Sequence, residues 1–382
     1  MATTQITPNQ LKSALGKNGK KPENKGLKKE FSIPGFEKRI KLKELAVMSR
    51  QMATMIGAGL SLLRTLNILA AQTESRPLAK ILSQIRDEVE TGVATSDAFA
   101  KHQKVFPPLM ISMIRAGEAG GFLEGALDSI AINFEKEVRL RGKIKSALTY
   151  PVIVLIMSLV SVVSMLIFIV PVFQKMFSSL GGKLPLPTMV LVYASHAMVW
   201  IGPLLILVFI AFAIWWPKNK NTVRVRKRLD PIKLKLPVFG LLMRKIAVAR
   251  FSRNFSDMIG AGVPILKALQ IVGETSGNWV IEDALKKVAE SVRQGHSLSV
   301  PLAHQPVFPP MVTQMISVGE DAGSLEVMLD KIADFYDQEV EAATEQLTAM
   351  IEPLMVAFLG VVIGGMVVAL YLPIFNISKL IK

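Results

Sequence analysis

The sequence predicts an all-α membrane protein built from a duplicated helical bundle. Three observations carry this: three long uncharged apolar runs, a repeat at a spacing of 202–203 residues, and helical periodicity with no alternating strand pattern. The apolar runs are Pro151–Phe173, Met189–Trp216 and Pro353–Ile377, of 23, 28 and 25 residues. Each exceeds the ~20 residues a helix needs to cross a ~30 Å hydrocarbon core. Most of the 382-residue chain lies outside them, which argues against a purely soluble enzyme and a many-span transporter alike.

In chain order, residues 1–39 read as a flexible basic tail with few bulky apolar side chains and many Lys, Gly and Asn. Thr7-Pro8 offers a short helix start ending at Gly16. The first 26 residues hold no apolar stretch, so no cleavable signal is expected and the first span is expected to direct insertion. The first domain, 40–149, opens with Leu45, Met48, Met52, Met55 and Ile56 at helical spacing. Gly57 and Gly59 are expected to stop that helix, and Ser61 to cap the next. Phe106-Pro107-Pro108 opens another, because Pro108 cannot sit inside a helix. Gly117 and Gly121 frame a tight turn, after which a long helix runs from about Leu123 into the first span, 150–173. An outer loop, 174–188, leads to the second span, 189–216.

The second domain, 217–350, restates the first. Met55-Ile-Gly-Ala-Gly59 recurs as Met258-Ile-Gly-Ala-Gly262, and Phe106-Pro-Pro108 as Phe308-Pro-Pro310. Gly117-Glu118, Gly121 and Leu123-Glu124 recur as Gly319-Glu320, Gly323 and Leu325-Glu326. Gly260 and Gly262 thus mirror Gly57 and Gly59, and Pro264 takes the place of Ser61, Pro being favoured at the first helical position. Five or six helices fall in each domain. The third span, 351–377, follows, with a short outer tail at 378–382, and the middle span has no counterpart.

The net charge of +15 is concentrated beside the spans. Residues 1–45, 136–145 and 217–235 carry +7, +4 and +7, whereas 174–188 holds only Lys175 and Lys183. The positive-inside rule places the three basic clusters, and with them the N-terminus, in the cytoplasm. Nucleic-acid binding would instead need a basic face on a folded domain. With no cysteine, disulfides and thiolate chemistry are excluded. No phosphate-cradling Gly-x4-Gly-Lys-Ser/Thr, no His-Glu-x-x-His and no Gly-x-Ser-x-Gly occurs. No cofactor or metal centre is expected. Glu124/Asp128 and Glu326/Asp330 each share a helical face, so each pair either meets a divalent cation or, more simply, faces solvent or a charge on a neighbouring helix. Glu118 and Glu320 read as caps of the following helix or as partner contacts.

The duplicated set of Met-Ile-Gly-Ala-Gly, Phe-Pro-Pro and Gly-Glu-x-x-Gly-x-Leu-Glu, closed by three spans, resembles the type II secretion F family over roughly residues 40–377. These are inner-membrane platform proteins of type IV pilus and type II secretion machines. The resemblance implies a non-enzymatic scaffold, multi-pass in the bacterial cytoplasmic membrane and assembled as a dimer or larger homo-oligomer. Its implied partners are a hexameric cytoplasmic ATPase, pilin subunits, other inner-membrane pilus proteins and membrane lipid. An aromatic-rich opening common in secretion members is not visible, which favours the pilus machine over a secretion platform. A repeat-built transporter is the rival from another class, but no span carries Asp, Glu, Lys or Arg.

The repeats disagree at one place. The approach to the first span carries Arg139, Arg141, Lys143 and Lys145, whereas the equivalent stretch before the third carries Glu341 and Glu345. A basic stem facing an acidic stem is expected, within one chain or across an oligomer, with Arg139 and Arg141 set against Glu341 and Glu345.

Overall fold

The computed structural model describes residues 40–179, 184–220, 222–237 and 239–377. The basic tail with its helix start at Thr7-Pro8, and the tail at 378–382, lie outside the described residues. Among the described residues every regular element is a helix. The first repeat comprises α1 (Leu42–Gly57), α2 (Leu62–Gln72), α3 (Arg76–Glu90), α4 (Thr95–Ala100), α5 (Pro108–Gly120) and α6 (Leu123–Ser164). A π-helical turn, Met165–Ile169, joins α6 to α7 (Val170–Ser179), and α8 spans Leu186–Asn219. The second repeat is α10 (Phe239–Gly260), α11 (Ile265–Thr275), α12 (Trp279–Arg293), α13 (Ser299–Ala303), α14 (Pro310–Asp321) and α15 (Leu325–Ile377). Before it comes α9 (Val223–Lys235), which has no counterpart among the described residues. Its buried Asp230 accepts the backbone N–H of Trp279 at 2.9 Å, at the first turn of α12.

Three helical stretches are long and apolar enough to cross a membrane: Leu123–Ser179, Leu186–Pro217 and Leu325–Pro373. The first and third are continuous with the last helix of each repeat. At 1.5 Å per residue, the 53 residues of α15 reach about 80 Å, far more than a bilayer core. The polar half of each is therefore a stem of the bundle.

The repeats share one core. Met48, Met52, Leu66, Leu82, Phe99 and Met110 are fully buried in the first, as are Phe251, Phe255, Val288 and Leu302 in the second, and the apolar contacts run unbroken between them. Phe106 stacks on Phe99 with ring centroids 4.7 Å apart, and its equivalent Phe308 lies 4.8 Å from Phe251. Each Phe-Pro-Pro motif thus seats an aromatic anchor before its prolines start α5 and α14.

Local starts and stops differ from the sequence reading in three places. The backbone turns left-handed at Gly59 (φ 84°), Gly121 (75°), Gly262 (69°) and Gly323 (65°), but Gly57, Gly117, Gly260 and Gly319 stay inside their helices. Pro264 occupies the N-cap of α11, one position before the first helical residue, as Ser61 does for α2. The stretch expected as an outer loop is helical to Ser179 and again from Leu186, because no breaker interrupts Gln174–Ser179 and Phe177 is buried.

Candidate functional site

Each stem begins in a clamp. A Cβ on Gly57 would stand 3.1 Å from Glu124 Oε1, and one on Gly260 would collide with the Glu326 carboxylate. A Cβ on Gly117 would lie 2.7 Å from Ala126 Cβ, and one on Gly319 2.9 Å from Met328 Cγ. The two helical glycines of each repeat therefore let α1 and α5, or α10 and α14, close on the first turns of the stem; close approach, rather than a turn, is what requires them. About two helical turns before these glycines, Arg50 of α1 bonds Glu135 at 2.7 Å, and its equivalent Arg253 of α10 bonds Asp337 at 2.7 Å. Arg50 also meets Asp128 at 2.5 Å, so that carboxylate has a cation on the neighbouring helix.

Glu118 and Glu320 turn inwards. Glu118 accepts the N–H groups of Thr95 and Ser96 at 2.6 and 3.1 Å, and Glu320 those of Leu298 and Ser299 at the same distances. They cap the short helix before them, α4 or α13, rather than the one after. Burial pushes the Glu118 carboxyl up, but hydrogen bonds from Ser96 and Thr95 outweigh it and hold it below the usual range. The single-residue change in repeat spacing falls just after this capped helix, at Lys101 between the equivalent pairs Ala100/Ala303 and His102/His304.

The stems meet along a charged seam. Lys136 lies 3.2 Å from Asp334 and 3.8 Å from Asp330, and Lys143 reaches Glu341 at 2.5 Å. From α10, Arg250 bonds Glu137 at 2.6 Å and Lys245 bonds Glu339 at 2.7 Å. The basic and acidic stems thus face each other within one chain; of the residues the sequence selected, Glu341 lies in the seam, with Lys143 as its partner in place of Arg139 or Arg141. Arg141 is bonded to Glu137 on its own helix, Arg139 is exposed beside the cleft over Asp334 and Glu341, and Glu345 points to the exposed side. The register explains this: partners differ by 198 positions, one helical turn short of the repeat spacing. Beneath the seam Leu140, Leu242, Ile246, Val340 and Leu347 form an apolar cluster.

Where the repeats touch, buried Asn133 donates to Asn254 Oδ1 at 3.0 Å and Asp257 Oδ2 at 2.5 Å. Burial raises the Asp257 carboxyl to about 6, against the pull of Asn133, Arg253 and Lys136. Nothing in the sequence pattern marked Asn133 or Asp257, since neither is repeated: the equivalents are Phe335 and Thr54. Gly92 and Gly295, an equivalent left-handed pair at φ 89° and 90°, also went unmarked, although the Thr-Gly and Gln-Gly stops after α3 and α12 were readable.

At the far end of the stems, repeat-equivalent prolines each free a carbonyl. Pro373 has no N–H for Ala369 O four residues back, and in the π-helical register Pro171 has none for Leu166 O five back. The unmatched helix α8 answers both: Thr188 Oγ1 donates to Ala369 O, and Ser195 Oγ to Leu166 O at 2.6 Å. Nearer the stems, the first and third spans enclose an apolar groove of about 260 Å³ between Leu155, Leu159, Val162, Met355, Phe358 and Val362. Among the described residues no three His, Asp or Glu side chains are grouped to hold a metal ion.

Fold and site together define an all-helical protein in which a twofold-repeated bundle runs through two stems into helices long and apolar enough to span a membrane. The chain belongs to the family described as Type II secretion system (T2SS), protein F, whose pattern matches twice, at residues 48–171 and 251–373. Among similar proteins, the Type IV pilus assembly protein PilC of Thermus thermophilus is 46% identical over 360 residues, covering 94% of this chain and 88% of that protein. The Type IV pilus assembly protein PilC of Myxococcus xanthus is 43% identical over 377 residues, 97% and 89% of the two chains. The Type II secretion system protein F of Aeromonas hydrophila is 31% identical over 350 residues, 91% and 89%.

Proposed function

We propose that this chain is the inner-membrane platform of a type IV pilus assembly machine, coupling a cytoplasmic hexameric ATPase to insertion of pilin subunits into the fibre. The N-terminus and both bundles face the cytoplasm on this reading, and the chain binds and transmits rather than catalyses. The observation that carries it is the continuity of α6 and α15 from a glycine-clamped bundle into the groove between the spans. A displacement of either bundle moves a rigid helix that reaches the bilayer, and the apolar groove suits side chains of a hydrophobic helix rather than an ion path. The higher identity with pilus relatives favours this machine over a secretion system. Two measurements test it. The purified protein should hydrolyse no nucleotide itself yet raise hydrolysis by its cognate ATPase; robust turnover without the ATPase overturns the coupling role. A photo-cross-linking residue at Leu159 should capture pilin in cells, and capture no better than at lipid-exposed Phe209 removes the groove from the mechanism.

A further inference from the structure

The joint between the repeats is head-to-tail. The first repeat contributes its α5–α6 face and the second its α10–α11 face, which corresponds to α1–α2 in the first. The stems α6 and α15 also pack on each other, through Lys136, Lys143, Asp334 and Glu341. Because both repeats have the same fold, the joint still leaves one face of each kind unused: α1–α2 of the first repeat, and the flank of α14–α15 that bears Val318 and Phe335 in the second. We propose that a second copy of this chain docks there, its α14–α15 face on the α1–α2 face of the first, by the same geometry that joins the repeats. The proposal needs only the duplicated fold and stands apart from the pilus reading.

Substitutions between the two kinds of face point to that occupant. In the internal joint Asn133 bonds Asn254, and Glu137 pairs with Arg250. At the free equivalents, Asn133 becomes Phe335, 43% exposed, and Arg250 becomes Val47, 48% exposed. Ala116, lining the internal cleft, becomes Val318, 57% exposed. Three positions that the internal joint fills with polar or small groups therefore carry bare apolar side chains, split between the two complementary faces. Charge agrees. Ala119 and Lys267 line the internal cleft from opposite sides, and their free equivalents are Asp321 and Arg64. Both are exposed, and neither makes an ion pair among the described residues. Docking brings this acid and base to the same cleft from two chains. Contacts between unlike faces propagate, and they close into a ring when the rotation permits.

The chain has no cysteine, so paired cysteines read this contact directly. Gln51 and Phe335 are the free equivalents of the bonded Asn254 and Asn133. Full-length Gln51→Cys/Phe335→Cys in native membranes should form disulfide-linked multimers on mild oxidation, the largest species giving the ring size, while each single variant stays monomeric on a denaturing gel. Introducing Arg64→Asp should lower the linked yield about threefold, the scale of an exposed ion pair, and adding Asp321→Arg should restore it. Absence of linkage in the double variant, or equal linkage in a single variant through like faces, overturns the proposal. Loss of yield with Arg64→Asp that Asp321→Arg does not rescue overturns the assigned pairing.

Discussion

Asp257 shows how one half-buried residue sets a pH dependence. Its carboxyl faces Arg253 from its own helix, Lys136 from α6 and Asp330 from α15, and burial still lifts it to about 6 from 3.8. A carboxyl raised on folding binds its proton more tightly in the native state, so stability falls as pH rises from about 4 to 6 and the full cost persists above that window. Two pKa units correspond to about 3 kcal/mol as an upper bound. Asp257→Asn keeps the acceptor for Asn133 and removes the charge, while Arg253 and Lys136 keep Asp334 as partner. Chemical unfolding of the full chain in detergent should therefore give a variant about 2–3 kcal/mol more stable at pH 7.5, with a flatter profile between pH 4.5 and 6.5. Equal stability at pH 7.5 would show that the carboxylate is solvated or paired in the native state. Glu118 carries the opposite sign: its depressed carboxyl stabilises above the unfolded value and that contribution is lost as pH falls below it.

At the scale of elements, α8 does more than link the two repeats along the chain. The freed carbonyls at Leu166 and Ala369 lie within the apolar helical stretches, and a hydroxyl from α8 satisfies each. Ser195→Ala with Thr188→Val should lower thermal stability in detergent by about 1–2 kcal/mol for the pair, given ~0.6–1.7 kcal/mol for such bonds between membrane helices. Substituting Ser161, whose hydroxyl bonds Met157 O on its own helix, should change it little. An equal loss at Ser161 would mean that the α8 bonds hold nothing together. The prolines themselves were legible as paired landmarks, as were the three spans, the repeat and the helix starts at Pro108 and Pro310, because each follows from composition or a missing N–H. Their partners on α8 were not, since a hydroxyl's target depends on interhelical register. The same holds for the glycines: the motif showed that Gly57 and Gly260 matter, but only packing shows that they admit Glu124 and Glu326.

For the whole molecule, the question is what keeps two long stems in register. The apolar cluster around Leu140 and Val340 gives adhesion without register, whereas a ladder of opposite charges fixes which turn meets which. Lys143 and Glu341 form the cleanest rung: neither has a further ion pair among the described residues, and both are nearly half exposed. Such a pair contributes only ~0.2–1 kcal/mol and weakens with salt, so its loss should scarcely alter folding. Its effect on pilus assembly is the sharper readout. Lys143→Glu and Glu341→Lys should each reduce pilus assembly at low salt, and the two together should restore it, with a coupling of roughly 0.5 kcal/mol in an unfolding cycle. Arg141→Glu with Glu345→Arg should show no such rescue, because Arg141 is held by Glu137 and Glu345 faces away. If the Lys143 pair fails to rescue and the Arg141 pair succeeds, the acidic stem meets its cation on another chain, and register between the stems is set from outside the molecule.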